Sequence, residues 1–337
     1  MPRKTRYGSQ IRTLKVMVML LAVAVAALAL YIVYPYASLA VKGQPFGSRL
    51  TGINAPLPQQ ELSIINNAPD SNFETAGGMM LNVSLSGEQA YNDAYVGPLF
   101  EASLGHPLQY NALVINGKPS VIYIGAISCI YCGENRWAMA LALSRFGTFN
   151  NLYTGYSSLG DGDVPTLYWT PQNYTTPSSA GYGNEYSSNY INLFTAEYDS
   201  PITSGFQFPQ STNPITFFAA NAPDQGYRSA MDFMNSTGSF QGTPFTFWGS
   251  SLNIGADAVV FGNGTSYTSS QNKLPLTYLS HQKVFSQLKG FNTTFAYEEY
   301  AAADIYIAET CAALQGSRPP VCSLPAIMRI ESKMGLA

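Results

Sequence analysis

The chain has 337 residues, of which 46% are hydrophobic and only 11% charged, with a formal net charge of −3. Its apolar content supports a packed core and excludes a chain disordered throughout. The weak negative balance excludes a nucleic-acid binder carried by a basic face, and two His residues, His106 and His281, leave little for a His-based metal site or a Ser-His-Asp triad.

Residues 1–15 carry Arg3, Lys4, Arg6, Arg12 and Lys15 and no acid, and read as a cytoplasmic basic tail. Residues 16–33 then form an unbroken apolar run. At about 1.5 Å per helical residue it nearly matches a hydrocarbon core of about 30 Å. Residues 16–34 are therefore expected to be a transmembrane signal-anchor, with the basic flank inside and the rest of the chain outside the cytoplasm. A signal peptide cut after Ser38-Leu39-Ala40 is the competing reading. Five Asn-x-Ser/Thr sequons, at Asn82, Asn173, Asn235, Asn263 and Asn292, are candidate glycosylation sites of an exported chain. Low charge density also suits an acidic exterior, where carboxylates take up protons.

Residues 35–100 are expected to be a stalk or partly ordered linker, on the strength of Pro56, Pro58, Asn66, Asn67 and Pro69. The main domain is expected over 101–325. Residues 120–125 are apolar and β-branched, the pattern of a buried strand. Residues 134–145 read as a helix ending near Gly147, and 152–156 as the next strand. An insertion is expected over about 157–223; its Tyr-rich tract 182–198 is either a protein-binding surface or a glycosylated loop, and within it 190–198 alternates like a strand. A helix is expected over 224–234, two strands at 242–247 and 258–261, a long helix over 297–314, and a C-terminal tail at 326–337.

Cys129-Ile130-Tyr131-Cys132 falls between the strand and the helix. A thiolate at a helix N-terminus is stabilised by unpaired N–H groups and the macrodipole, which lowers its pKa. The thiolate attacks in disulfide exchange, and a second Cys one turn on resolves the mixed disulfide. A structural disulfide and half of a metal site compete with this redox reading. Zinc lacks suitably spaced partners, and so tight a ring constrains little chain entropy. Cys311 and Cys322 bracket a turn made by Gly316 and Pro319-Pro320; a structural disulfide is expected there, with a second redox relay as the alternative. Glu134 is a candidate proton shuttle for Cys132 or a solvated first-turn acid. Arg136 is a candidate for thiolate stabilisation or a structural partner, and Trp137 is expected in the core.

The block Ile124-Gly-Ala-Ile-Ser-Cys129-Ile-Tyr-Cys132-Gly-Glu-Asn-Arg136-Trp137-Ala, followed by Ala142-Leu-Ser-Arg145-Phe146-Gly147-Thr-Phe149, resembles an archaeal family known as domain of unknown function 929. That family is usually placed in the thioredoxin-like superfamily. Cys311 and the Pro320-Val321-Cys322 string resemble its C-terminal pattern, and the likeness spans about 100–325. Where family members tend to carry Pro after the first Cys, this chain has Ile130, which leaves the direction of exchange open. The resemblance implies an α/β, thioredoxin-like fold with an insertion, here preceded by a transmembrane helix. In such folds a cis-proline loop packs against the Cys pair and offers backbone hydrogen bonds to a client peptide. Thr243-Pro244 stands at the matching place in chain order; an ordinary edge-strand Pro is the plainer reading.

The function expected is therefore membrane-anchored, extracytoplasmic thiol–disulfide exchange on exported client proteins. Cys129 and Cys132 are catalytic, Thr243 and Pro244 position the client, and the exported setting favours an oxidase over a reductase or isomerase. No cofactor or metal is expected, and the redox partner is not identified by the sequence. The rival readings are a non-enzymatic surface module on the same scaffold and a copper metallochaperone using the Cys pair.

Overall fold

The computed structural model describes residues 54–86, 108–109, 111–157, 164–171, 181–198, 213–237, 242–254 and 279–336. All lie in one compact unit, Ile53–Ala337. The expected basic tail and apolar run at 1–34 lie outside the described residues. Among the described residues, no helix is long and apolar enough to cross a membrane.

The frame is α/β. Its centre is β3 (Lys118–Ala126), which pairs in parallel with β9 (Asn192–Tyr198) and antiparallel with β10 (Phe245–Trp248). The strand order is β1 (Leu108–Gln109), β11 (Ser251–Ile254), β10, β3, β9, β7 (Gly181–Tyr182), with β2 (Val114–Ile115) also pairing to β3. A strand covered on both faces reads as a continuous apolar run, and β3 shows why. Val121 and Tyr123 face one core, Ile122 and Ile124 the other. The first core holds α3 (Ile130–Leu143), α7 (Thr294–Ala313) and residues of α1 (Gln59–Asn66), α2 (Asp70–Ser86), α6 (His281–Gly290) and α8 (Pro325–Lys333). The second holds α4 (Pro214–Ala220) and α5 (Gln225–Ser236), capped by Asn213 and Asp224.

Helix α7 is surrounded rather than amphipathic. Ala301, Ala302, Ala303, Ile305, Tyr306 and Ile307 are all buried, so no polar stripe remains. Yet it also buries Glu298, Glu299, Asp304 and Glu309.

Several expectations change. The stalk expected over 35–100 contains α1 and α2, and Leu62, Ile65, Phe73 and Met80 of these helices are buried in the first core. Tertiary packing overrides the Pro/Asn-rich composition there. The insertion expected over 157–223 is not a separate unit, because β9 within it is the parallel neighbour of β3. The strand at 152–156, present as β5 (Tyr153–Tyr156), pairs instead with β6 (Pro165–Tyr168) in a small sheet of its own. A second small sheet joins β4 (Gly147–Asn151) to β8 (Glu185–Ser188). The partner of β10 is β11, two residues on; 258–261 lies outside the described residues. The tail expected at 326–337 contains most of α8, whose Ala326, Ile327 and Ile330 are buried.

Candidate functional site

The site forms where β3 ends and α3 begins. The chain leaves the sheet at Ala126, and Cys129 becomes the N-cap of α3, with extended backbone and a sulfur that accepts the Cys132 backbone N–H at 3.4 Å. One helical turn on, Cys132 is fully buried, and its sulfur accepts the Ala126 N–H at 3.5 Å. Both are free thiols, Cys129 partly exposed and Cys132 buried. The Thr243–Pro244 peptide bond is cis, and Cys129 Sγ lies 3.7 Å from the Thr243 carbonyl oxygen. The register of β10 on β3, Phe245 opposite Ile124, delivers this loop to the Cys pair.

The two thiols are electrostatically unlike. Cys129 is lowered from its ordinary value to about 6, chiefly by hydrogen bonding from the Cys132 side chain, with the Cys132 N–H, Arg136 and Thr243 adding to it against burial. Cys132 is pushed well up, first by burial and then by its bond and charge interaction with Cys129. The accessible thiol is thus the thiolate and the buried one is the thiol.

Below the pair lies an ion pair that the sequence did not announce. Arg136, fully buried, donates Nε–H to Glu197 Oε1 at 2.8 Å and a second, shorter bond through Nη2 to the same oxygen. It also bonds the Ala126 carbonyl at 3.2 Å and Thr166 Oγ1 at 3.3 Å. Burial pulls its pKa down, but Glu197, Tyr123 and Cys132 raise it further, so it stays charged. Arg136 is therefore both a structural partner and a source of positive charge beside both thiols. Burial pushes the Glu197 carboxyl up, against the pull of Arg136.

Glu134, expected as a shuttle or a solvated acid, is not solvated. It is buried, and its charge raises the carboxyl of Glu299 on α7. Trp137 is in the core, as expected, with its indole N–H on the Pro165 carbonyl at 2.9 Å. His281, given no role above, is buried between the rings of Trp137 and Tyr156, its Nε2 2.9 Å from the Thr166 carbonyl oxygen. Burial pushes it down, so it is neutral. His106 lies outside the described residues. The one sequence signal for Glu197 was an acid inside a segment that alternates like a strand.

Cys311 and Cys322 form a disulfide, both sulfurs buried, that ties the last turn of α7 to the 3-10 turn Pro320–Ser323 ahead of α8. Asn235 and Asn292 are exposed; Asn82 is in α2 but its side chain is outside the described residues, as are Asn173 and Asn263. Among the described residues, no group of three or more His, Cys, Asp or Glu could hold a metal ion.

These features define an α/β protein with an asymmetric dithiol at a strand–helix junction, facing a cis-proline loop. The chain matches the family described as a domain of unknown function (DUF929) over residues 108–309, and it belongs to that family. No curated protein and no solved structure matches it.

Proposed function

We propose that this protein is an extracytoplasmic thiol–disulfide oxidoreductase on a thioredoxin-like scaffold, held at the membrane by residues 16–34. The observation that carries the reading is the asymmetry of the pair: an accessible Cys129 held near pKa 6 at a helix N-terminus, one turn from a buried, protonated Cys132. Chain order supports the scaffold reading. The Cys pair follows the first strand of a parallel β3–α3–β9 crossover, and an antiparallel β10–β11 hairpin opened by cis-Pro244 precedes α6 and α7 in the chain.

The chemistry is exchange through a mixed disulfide. In the reducing direction, Cys129 thiolate attacks one sulfur of a client disulfide; the S–S bond breaks and the other client sulfur leaves as thiolate. Cys132 then attacks Cys129 Sγ, closes the intramolecular disulfide and releases the second client thiolate. The oxidising direction is the reverse. A depressed Cys129 pKa favours the reduced form of the pair and makes Cys129 a good leaving group, so the disulfide form is a donor to clients. Thr243 offers its backbone beside Cys129 Sγ, where a client strand would lie.

The test equilibrates the full-length chain in glutathione buffers, then alkylates and maps Cys129 and Cys132 by mass spectrometry. A reduction potential between about −230 and −120 mV, with Cys129 alkylated first, is expected. A pair still oxidised below about −300 mV, or thiols that never react, would overturn the proposal in favour of an inert surface module.

A further inference from the structure

Resolution by Cys132 needs a place for its proton, because the thiol is buried and its pKa is high. Residues of two neighbouring strands meet on one face of the sheet there. Tyr123 and Gly125 of β3 lie opposite Thr195 and Glu197 of β9 in the parallel register. The Tyr123 side chain folds over Gly125, where a Cβ would collide with its hydroxyl, so only glycine admits the ring in this position. Trp169 fixes that ring edge-on at 5.8 Å, and the Arg136 guanidinium lies 6.0 Å from its centroid.

The Tyr123 hydroxyl lies over Gly125, which stands opposite Glu197 in the β3–β9 register and is next in the chain to Ala126, whose N–H donates to Cys132 Sγ at 3.5 Å. It also interacts electrostatically with both Cys132 and Glu197. It is fully buried and has no aligned hydrogen bond of its own, and Glu197 Oε2 is likewise unsatisfied. An orphaned buried hydroxyl costs stability, so its presence calls for a role besides packing. Glu197 Oε1 is already occupied by Arg136, which leaves Oε2 as the open acceptor.

Resting on the exchange reading above, we propose that Tyr123 relays the Cys132 proton to Glu197 during resolution of the mixed disulfide. As Cys132 Sγ attacks Cys129 Sγ, the Cys129–client S–S bond breaks and the Cys129–Cys132 bond forms. The Cys132 proton passes to Tyr123 Oη while the Tyr123 proton passes to Glu197 Oε2, and the client leaves as thiolate. Arg136 holds the acceptor in place and opposes the rise that burial imposes on its carboxyl, and is a positioning residue. In the reverse direction, Glu197 returns the proton as Cys132 is released.

Ellman's reagent on the full-length dithiol chain separates the steps. Cys129 releases the first thionitrobenzoate, and Cys132 releases the second by closing the disulfide. Tyr123→Phe keeps the ring and should leave the first release unchanged and the melting temperature equal or higher, because it removes an unsatisfied buried hydroxyl. It should slow the second release by about 100-fold, the low end for a positioned acid–base group, and the gap should close as pH rises until Cys132 ionises unaided. Glu197→Gln should slow the second release in the same sense. Second-release rates and pH profiles equal to those of the unsubstituted chain would overturn the relay and leave the exchange reading standing. Slowing of both releases together with a lower melting temperature would also overturn it, in favour of a packing role. No second release from the unsubstituted chain would overturn the exchange reading itself.

Discussion

At the scale of single residues, the hydrogen bond between the two thiols is the largest influence that lowers Cys129. Cys132→Ala removes that donor and keeps the backbone N–H. The midpoint of Cys129 alkylation, expected near pH 6, should therefore move upward toward the ordinary thiol range; an unmoved midpoint would assign the lowering to the helix N-terminus and Arg136 instead. The Arg136–Glu197 pair makes a second prediction. Arg136→Met strands a buried carboxylate and should cost about 3–5 kcal/mol in urea unfolding, whereas Arg136→Met with Glu197→Leu should cost much less. Equal losses from the single and double variants would mean that packing, not charge, dominates at this site. The contrast between these residues explains what was legible in the sequence. Cys129 and Cys132 are three residues apart, and Cys311 and Cys322 bracket one turn, so spacing alone brings each pair together. Arg136 and Glu197 are 61 residues apart and meet only because β9 lies beside β3. No local pattern encodes that meeting.

At the scale of elements, the sequence signals succeeded where a single segment decides the outcome and failed where a neighbour does. Strand β3, helix α3 and helix α7 are long and mostly apolar, and the structure has them close to where expected. Helices α1 and α2 were hidden by Pro58, Asn66, Asn67 and the Gly77-Gly78 pair, which argue locally for a linker. Glycine lowers helix propensity by about 1 kcal/mol relative to alanine, yet Gly77 is where α2 approaches its neighbours. A Cβ there would lie 2.8 Å from both Ala326 Cβ of α8 and Asp304 Oδ2 of α7, while at Gly78 it would meet nothing within 4 Å. The two substitutions should therefore act in opposite directions. Gly78→Ala should raise stability by up to about 1 kcal/mol through propensity. Gly77→Ala should lower it, because α2 must back away from the core. Thermal melting of the two variants checks this, and a stabilised Gly77→Ala would show that α2 is not held by close approach.

At the scale of the whole molecule, low surface charge goes with buried acids. Burial pushes Glu298 up to about 8. It pushes Glu299 and Asp304 well up as well, with Glu134 and Glu298 adding to the first and Glu74 to the second, against hydrogen bonds from the Ala138 and Gly77 backbones. Unfolded carboxyls titrate near about 4.3. Folded values above that mean the native chain holds more protons than the unfolded one, so stability falls as pH rises. The contribution is fully present below about 4.3 and is lost as pH climbs through the folded values, near 8 for Glu298. Cys129 acts in the opposite sense. Its folded value of about 6 lies below the unfolded thiol value of about 8.5, so it adds stability as pH rises through that window. His281, pushed down by burial, acts in the same sense as Cys129 at lower pH, while Glu197 joins the raised carboxyls; the carboxyls outnumber these two and set the slope. The urea midpoint of the full-length chain should therefore be higher at pH 4 than at pH 8. Glu298→Gln, which cannot ionise, should flatten the upper part of that decline. A midpoint that rises steadily from pH 4 to pH 8 would mean that these carboxyls are ionised in the folded chain and that α7 is not built for an acidic exterior.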